Sequence, residues 1–390
     1  GSDDVALADS HAGGTETVIR VHTWPRGVAR HASVKWPMEF PVAKVRERLL
    51  ERALAIIGLA ISVCACGGAG PTTPVVPPTT TVDLKSSLST SFDALSMPAN
   101  AACSISISQH GQVVLERGRG QVAPGRPAAF DSLYRIASLT KPITASAVLI
   151  SEQAGRLLRS DKVNRFLAYA EPAPTIDELI KHIPGLPNFQ NTPAYQNGYA
   201  SPTTLESLLS LIQPWDGIRR YQYSNSHYAL LGAVLQQVHG LRYEEVVQRD
   251  IFGPAGMSQS SFAIPPASES VGIPFASTTH PSWVYAAGGV TSSAADLNRF
   301  NQALLSNRFG FGAAESFDRS AGVTSFGLGS GVVNGDLRFT HSGLLDTYSS
   351  YSVIFPADRS SVVVLCNFNS NALKNLVTGP NGIREIMLGR

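Results

Sequence analysis

Strand-like runs stand at both ends of this chain's patterned region and helix-like runs fill its middle, an order that constrains the fold more than any other feature. Near one end, Cys103-Ser-Ile-Ser-Ile-Ser108 alternates with period two, Gln109-His-Gly-Gln112 reads as a turn, and Val113 to Arg117 returns as a hairpin arm. Near the other, Phe339-Thr-His341, Tyr348 to Phe355 and Ser361-Val-Val-Val-Leu-Cys366 are strand candidates, split by Gly343 and by Pro356-Ala-Asp-Arg359. Between them, across roughly residues 138 to 305, helical patterns cover Ser138 to Arg156, Thr175 to His182, Thr204 to Ile212, Ser226 to His239 and Tyr243 to Phe252. Leu373 to Leu388 gives a closing helix that Gly379-Pro380 interrupts. The prediction is an α+β fold: an antiparallel sheet built from both chain ends, flanked by helices, with an all-helical region inserted. No internal repeat or second globular domain is visible.

The chain has 390 residues, 43% of them hydrophobic and 15% charged, which is enough to bury a full core and too apolar for disorder by composition. Its net charge of +2 comes without a Lys/Arg stripe interleaved with aromatics, which argues against a nucleic-acid partner. Basic residues concentrate in Lys44-Val-Arg-Glu-Arg-Leu-Leu-Glu-Arg52, ahead of the apolar Ala53 to Val63 and then Cys64-Ala-Cys66-Gly-Gly68. Basic, short apolar, then small is the order of a secretory signal. Counted on through Cys64 and Ala65, the apolar run is about 13 residues and spans only ~20 Å as a helix, short of the ~30 Å hydrocarbon layer. Val63-Cys64-Ala65-Cys66 resembles a bacterial lipoprotein cleavage box, with Cys66 as the lipidated residue. Residues 67–82 are rich in Pro and Thr and read as an extended linker. The expected organisation is an unassigned extension over 1–37, a signal with lipobox over 38–66, the linker over 67–82 and a catalytic domain over 83–390. That protein would be exported and held at the cell envelope by a lipid anchor in a membrane.

Ser138-Leu-Thr-Lys141 falls where the extended Leu133-Tyr-Arg-Ile-Ala137 run turns helical. A serine hydroxyl needs a base in hydrogen-bond reach to become a nucleophile, and three residues along a helix place Lys141 on the face of Ser138. Free N–H groups at a helix start also favour negative charge on an attacked carbonyl oxygen. Ser-x-x-Lys alone is a weak signal. It occurs once in this chain, and Tyr223-Ser-Asn225 and His341-Ser-Gly343 follow it in order.

On these three elements the chain resembles the class C β-lactamase and penicillin-binding-protein superfamily, which includes D,D-carboxypeptidases, D-aminopeptidases and family VIII carboxylesterases. The likeness extends over Phe130 to Thr144, Thr175 to Pro187, Tyr223 to Gly240 and Ala286 to Leu297, and covers about residues 83 to 390. The resemblance implies Ser138 as nucleophile and Lys141 as the base, neutral through burial. It implies that Tyr223 shares the proton transfer and that Asn225 holds Lys141 and the acyl part of the substrate. His341, Ser342 and Gly343 would form the substrate-facing strand, and the Leu344 N–H would complete an oxyanion hole with that of Ser138. Arg135 and His182, conspicuous beside these motifs, read as structural. No metal and no organic cofactor is implied.

His341 stands where β-lactamases carry lysine. A neutral histidine there removes a fixed cation for a substrate carboxylate and tilts the expectation to a broad carboxylesterase acting on small acyl esters or amides. The alternatives are a D,D-carboxypeptidase, D-aminopeptidase or β-lactamase, and, from another class, a tethered envelope protein that binds peptidoglycan fragments without turnover. A Gly-x-Ser-x-Gly hydrolase is excluded because no serine has both glycines. Gly327-Leu-Gly-Ser-Gly331 resembles a nucleotide fingerprint fragment but lacks its third glycine and its helix. In the family's sheet the first strand lies beside the last, so Cys103 and Cys366 would meet and an exported protein would oxidise them; two buried thiols are the blander expectation.

Overall fold

The computed structural model describes residues 83–263, 279–311, 327–333 and 335–390. The segments 1–37, 38–66 and 67–82, with the lipidation candidate Cys66, lie outside the described residues. No described helix is long and apolar enough to cross a membrane.

A helix, α1 (Leu84–Asp93), precedes the hairpin of β1 (Ala102–Gln109) and β2 (Gln112–Ala123), to which the short β3 (Arg126–Pro127) adds. At the other end come β6 (Gly329–Val333), β7 (Asp336–Leu345), β8 (Tyr348–Phe355) and β9 (Ser360–Cys366). These seven strands form one antiparallel sheet in the order β3-β2-β1-β9-β8-β7-β6. β1 pairs with β9 from Cys103 opposite Cys366 to Ser108 opposite Ser361, so the two chain ends close the sheet as the sequence predicts. A separate two-stranded ribbon joins β4 (Tyr134–Arg135) to β5 (Thr291–Ser292).

Two differences from the sequence reading have physical causes. The glycine-rich stretch set aside at Gly327 to Gly331 contributes β6, an edge strand paired to β7 from Gly329 opposite Thr340 to Val333 opposite Asp336. Cys103 and Cys366 form a disulfide rather than two free thiols, because strand register sets them directly opposite with Cα atoms 4.1 Å apart.

The Ser-Ile alternation of β1 is not the usual polar-out pattern, for both faces are covered. Ile105, Ile107 and Cys103 pack toward α1 and the closing helices α11 (Leu373–Thr378) and α12 (Ile383–Met387). Ser104, Ser106 and Ser108 turn to the opposite face. There Ser104 bonds Tyr134, and Asn298 of α10 (Ala294–Leu305) accepts from Ser108 and donates to Ser106. Satisfying buried hydroxyls in this way removes the penalty that a lone buried polar group would carry.

The inserted helical region is α2 (Thr140–Gln153), α3 (Ile176–Ile180), α4 (Pro193–Gly198), α5 (Leu205–Ser210), α6 (Asn225–His239), α7 (Tyr243–Val247), α8 (Gly253–Ala255) and α9 (Pro281–Gly288). Helices α2 and α6 are buried on most sides, with Ile143, Val148, Tyr228, Leu231 and Val234 in the larger apolar core. Central helices of this kind hold side chains rigidly, and the turn that leads into α2 packs against β7.

Candidate active site

Ser138 sits in a single 3-10 turn, Ala137–Leu139, between β4 and α2. Its neighbour Ala137 has φ +51°, a left-handed conformation that is costly for a non-glycine residue and survives only where packing imposes it. The packing is visible: Ala137 is buried with Val284 and Leu345. On the other side β7 presses against the turn through Gly343. A Cβ at Gly343 would stand 2.5 Å from the Ile136 carbonyl oxygen and 2.3 Å from Ser350 Oγ, and Ser350 Oγ itself donates to the Ile136 carbonyl at 2.9 Å. The glycine of the third motif is therefore needed to seat the strand on the turn that carries Ser138.

Lys141, the second residue of α2, is completely buried. Its Nζ lies 2.7 Å from Asn225 Oδ1, 2.9 Å from the Ala287 carbonyl oxygen and 3.1 Å from Ser138 Oγ. Burial, with no carboxylate beside it among the described residues, holds this amine well below the ordinary lysine range. In the neutral form, its two N–H groups serve Asn225 and Ala287 and its lone pair faces Ser138.

Tyr223 Oη is 2.7 Å from Ser138 Oγ. Although 41% of the residue is exposed, its hydroxyl is turned inward, and desolvation pushes the phenol up to about 12 despite the contact with Ser138. Asn225 opens α6, whose cap is the neighbouring Ser224, so the Asn225 amide is not consumed by capping. Its Nδ2 donates to Gln190 Oε1, and Gln190 Nε2 donates in turn to Tyr195 Oη at 3.1 Å, which fixes the amide with Oδ1 toward Lys141.

His341 stands on β7 with its ring centroid 6.3 Å from that of Tyr223 and Nδ1 2.7 Å from the Ser342 carbonyl oxygen. Burial first, and then the proximity of Lys141, push the imidazole down to about 4. Ser342 is exposed, and Leu344 is 59% exposed on the same strand. Since β6 pairs with β7 only up to Thr340, the outer edge of β7 from His341 to Leu345 has no strand beside it among the described residues. The structure thus gathers Ser138, Lys141, Tyr223, Asn225, His341 and Gly343 at one place, with Ser342 and Leu344 on the adjoining edge.

Three contributors escaped the sequence reading. The Ala287 carbonyl is backbone and carries no residue signature, although the stretch from Ala286 was singled out. Gln190 sits in a single 3-10 turn, Phe189–Asn191, too short for any periodicity to predict. His182, read as structural, packs its ring against Tyr223 at a centroid distance of 4.6 Å.

A cavity of about 330 Å³ opens beside the cluster, walled by Tyr221, Tyr223, His341, Ser342, Arg338 and Lys374 among others. A model of the Beta-lactamase family matches residues 98–378. The chain belongs to the beta-lactamase family. Within this family of serine hydrolases, it is 26% identical over 291 residues to penicillin-binding protein 4* of Bacillus subtilis strain 168, covering 64% of this chain and 64% of that protein. To protein flp of Staphylococcus aureus strain COL it is 24% identical over 304 residues, covering 70% of this chain and 61% of that protein. The beta-lactamase-family chain thus spans less than two thirds of the length of both relatives. Among solved structures, D-amino acid amidase from Ochrobactrum anthropi SV3, complexed with D-phenylalanine, aligns at a TM-score of 0.67 and 19% identity over 79% of this chain and 99% of that one. The penicillin-binding protein homologue from Pyrococcus abyssi aligns at 0.61 and 22% identity over 74% of each. At such identities the structures show the shared fold, and the expected α+β class of the beta-lactamase and penicillin-binding-protein type is the one observed.

Proposed function

We propose that this protein is a serine hydrolase that cleaves small acyl esters and amides through an acyl-Ser138 intermediate, with the preference of a broad carboxylesterase. The observation that carries the reading is Lys141 Nζ, held by Asn225 and Ala287 with Ser138 Oγ at its remaining position. As Ser138 Oγ attacks the substrate carbonyl carbon, its proton passes to neutral Lys141. The carbonyl oxygen becomes an oxyanion received by the N–H groups of Ser138 and Leu344. When the tetrahedral intermediate collapses, Tyr223 hands its proton to the departing oxygen or nitrogen and is reprotonated from Lys141. A water then attacks the acyl carbon, giving a proton to the same pair, and the acid leaves with Ser138 restored. Tyr223, raised rather than lowered, suits the donor in this scheme, and the depressed Lys141 suits the base.

The substrate preference rests on His341. With its imidazole near 4, the third motif is uncharged at neutral pH, and the flanking Tyr221 and Leu344 are exposed apolar surface. Both favour an uncharged acyl group over a carboxylate at this position.

A second reading, a hydrolase of D-amino-acid amides or D,D-peptides, is favoured by a separate observation. Arg338 and Lys374 wall the adjoining cavity, and Tyr351 Oη beside them is buried without a hydrogen-bond partner among the described residues. Cations and a spare hydroxyl suit a substrate carboxylate. Rates on p-nitrophenyl acetate and butyrate, nitrocefin, D-phenylalanine amide and a D-Ala-D-Ala peptide separate the two. Ester turnover that dominates and vanishes in Ser138→Ala supports the first reading. Dominant amide, peptide or nitrocefin turnover supports the second, and activity surviving Ser138→Ala sinks both.

A further inference from the structure

His182 follows α3 in a left-handed conformation, φ +57°, that a non-glycine residue adopts only under constraint. The constraint is a clamp between two loop segments. The His182 carbonyl accepts from Gln222 N–H at 2.9 Å and the Ile183 carbonyl accepts from Arg220 N–H at 2.8 Å, tying the segment before Tyr223 to the segment after α3. The side chain adds contacts aimed at two members of the cluster. Its ring lies tilted by 36° against Tyr223, and its Nδ1 accepts from the backbone N–H of Ser224 at 3.3 Å. Ser224 is the cap from which Asn225 begins α6.

The tautomer of His182 is set by a second buried histidine. His227, on α6, stands Nδ1 to Nδ1 with His182 at 2.7 Å, and its Nε2 accepts from Leu186 N–H at 3.3 Å. With Nε2 an acceptor, His227 carries its hydrogen on Nδ1 and donates it to His182. His182 Nδ1 is then an acceptor for both His227 and Ser224, and its hydrogen is on Nε2. His182 is 3% exposed and His227 fully buried, so neither bond competes with water. The titratable groups facing His182 are His227, Lys141, His341, Tyr221, Tyr223 and Tyr228.

We propose that His182, in the tautomer fixed by His227, is a positioning residue for acyl transfer: its ring sets the Tyr223 hydroxyl on Ser138, and its Nδ1 anchors the turn that presents Asn225 to Lys141. The proposal rests on the hydrolase reading above. A residue that acts through Tyr223 affects poor leaving groups, which need a proton, more than good ones, which do not.

The test compares wild type, His182→Leu, His182→Asn, Tyr223→Phe and the His182→Leu/Tyr223→Phe double variant on phenyl butyrate and p-nitrophenyl butyrate, with melting temperature and fluorophosphonate labelling of Ser138 measured alongside. For His182→Leu, kcat on phenyl butyrate is expected to fall about 30-fold, with KM changed less than about threefold and a smaller loss on the nitrophenyl ester. In the Tyr223→Phe background the same substitution is expected to cost less than about threefold, since coupled residues are not additive. His182→Asn, whose Oδ1 reaches the place of Nδ1 but which lacks the ring, is expected to recover part of the loss and to fall between His182→Leu and wild type. Losses that add in the double variant, equal losses on both esters, or an Asn variant no better than Leu would overturn the proposal. If His182→Leu does not fold, His182→Asn against His182→Gln asks the same question, because Gln cannot place an acceptor at the δ position. Wild type that neither takes the label nor turns over either ester overturns the hydrolase reading, and this proposal with it. An active wild type indifferent to His182→Leu overturns this proposal alone.

Discussion

Lys141 Nζ lies 2.9 Å from the carbonyl oxygen of Ala287, a backbone atom 146 residues further along the chain. The contact ties the start of α2 to the end of α9 and leaves the amine dry, and dryness lowers its proton affinity. In the proposed mechanism the neutral amine is the active form, so activity rises with pH as Lys141 loses its proton and falls as pH drops through its depressed pKa. The acid limb of kcat/KM is expected well below the ordinary lysine value of about 10.4. Lys141→Arg, charged at every accessible pH, is expected to lower kcat/KM by about 10³-fold or more with no recovery in alkali. A pH profile of both proteins on one ester checks this, and an unchanged profile in the variant would remove Lys141 from the chemistry.

Tyr223→Phe keeps the ring against His182 and removes the hydroxyl at 2.7 Å from Ser138. Loss of a general acid typically lowers kcat by about 10²- to 10⁴-fold, and here the upper part of that range is expected for amides and the lower part for nitrophenyl esters. Because the phenol is pushed up to about 12, wild-type activity should show no alkaline limb from Tyr223 below pH 11 or so. Leaving-group dependence measured as a series of aryl esters decides it: a Tyr223→Phe loss independent of the leaving group excludes the donor role.

Gly343→Ala tests the seating of β7 on the turn that carries Ser138. The added methyl meets two oxygens closer than any real carbon does, and one of them is backbone. Relief requires β7 or the Ala137 turn to move, at a cost of about 1–3 kcal/mol of stability. Activity is expected to fall further than stability, since the moved atoms adjoin Ser138. Chemical denaturation beside kcat/KM measures both, and a stable, fully active variant would contradict the packing described.

How much of this was legible in the sequence differs by residue. The sheet closing through its ends was legible because alternation in β1 and the apolar run of β9 are local signals. The Ser138, Lys141, Tyr223 and Asn225 cluster was legible through motif order, not through spacing in space, since 84 residues separate Lys141 from Asn225. The strand β6 was hidden by its glycines, which carry no β propensity of their own and are ordered by pairing with β7. Gln190 and Ala287 were invisible because their part is played by an amide in a single 3-10 turn and by a backbone oxygen. The His182 and His227 pair was missed because histidine is a common core residue and only tertiary packing brings the two rings together.

The same pair makes stability depend on pH. Burial holds His227 down to about 3 and His182 well below its ordinary range, so both stay neutral in the folded protein. The unfolded chain takes up protons at histidine below about 6.5, and the folded state does not follow. Unfolding then binds protons, so stability falls as pH falls from about 6.5 toward the folded pKa values, by at most about 1.4 kcal/mol per pH unit per histidine. Melting temperatures between pH 7 and 4 should drop in wild type and drop less in His227→Gln, after allowance for its lower starting point. Equal slopes would place the acid sensitivity elsewhere.

The disulfide makes a prediction that separates stability from catalysis. Cys103 and Cys366 are both fully buried, on the face of the sheet that packs against α1, α11 and α12, whereas Ser138 lies on the opposite face. Their link closes the chain around 263 residues, and in the chain-entropy picture so long a loop restricts the unfolded state by about 5 kcal/mol as an upper bound. The paired substitution Cys103→Ala/Cys366→Ala therefore lowers the melting temperature by several degrees or more while leaving kcat/KM at room temperature within about twofold, since β1 and β9 remain hydrogen-bonded without it. Burial also implies that a mild reductant acts on the folded protein slowly and on the denatured protein fast. A fall in kcat/KM as steep as the fall in stability would mean instead that the sheet transmits the loss of the link through β8 and β7 to the turn that holds Ser138.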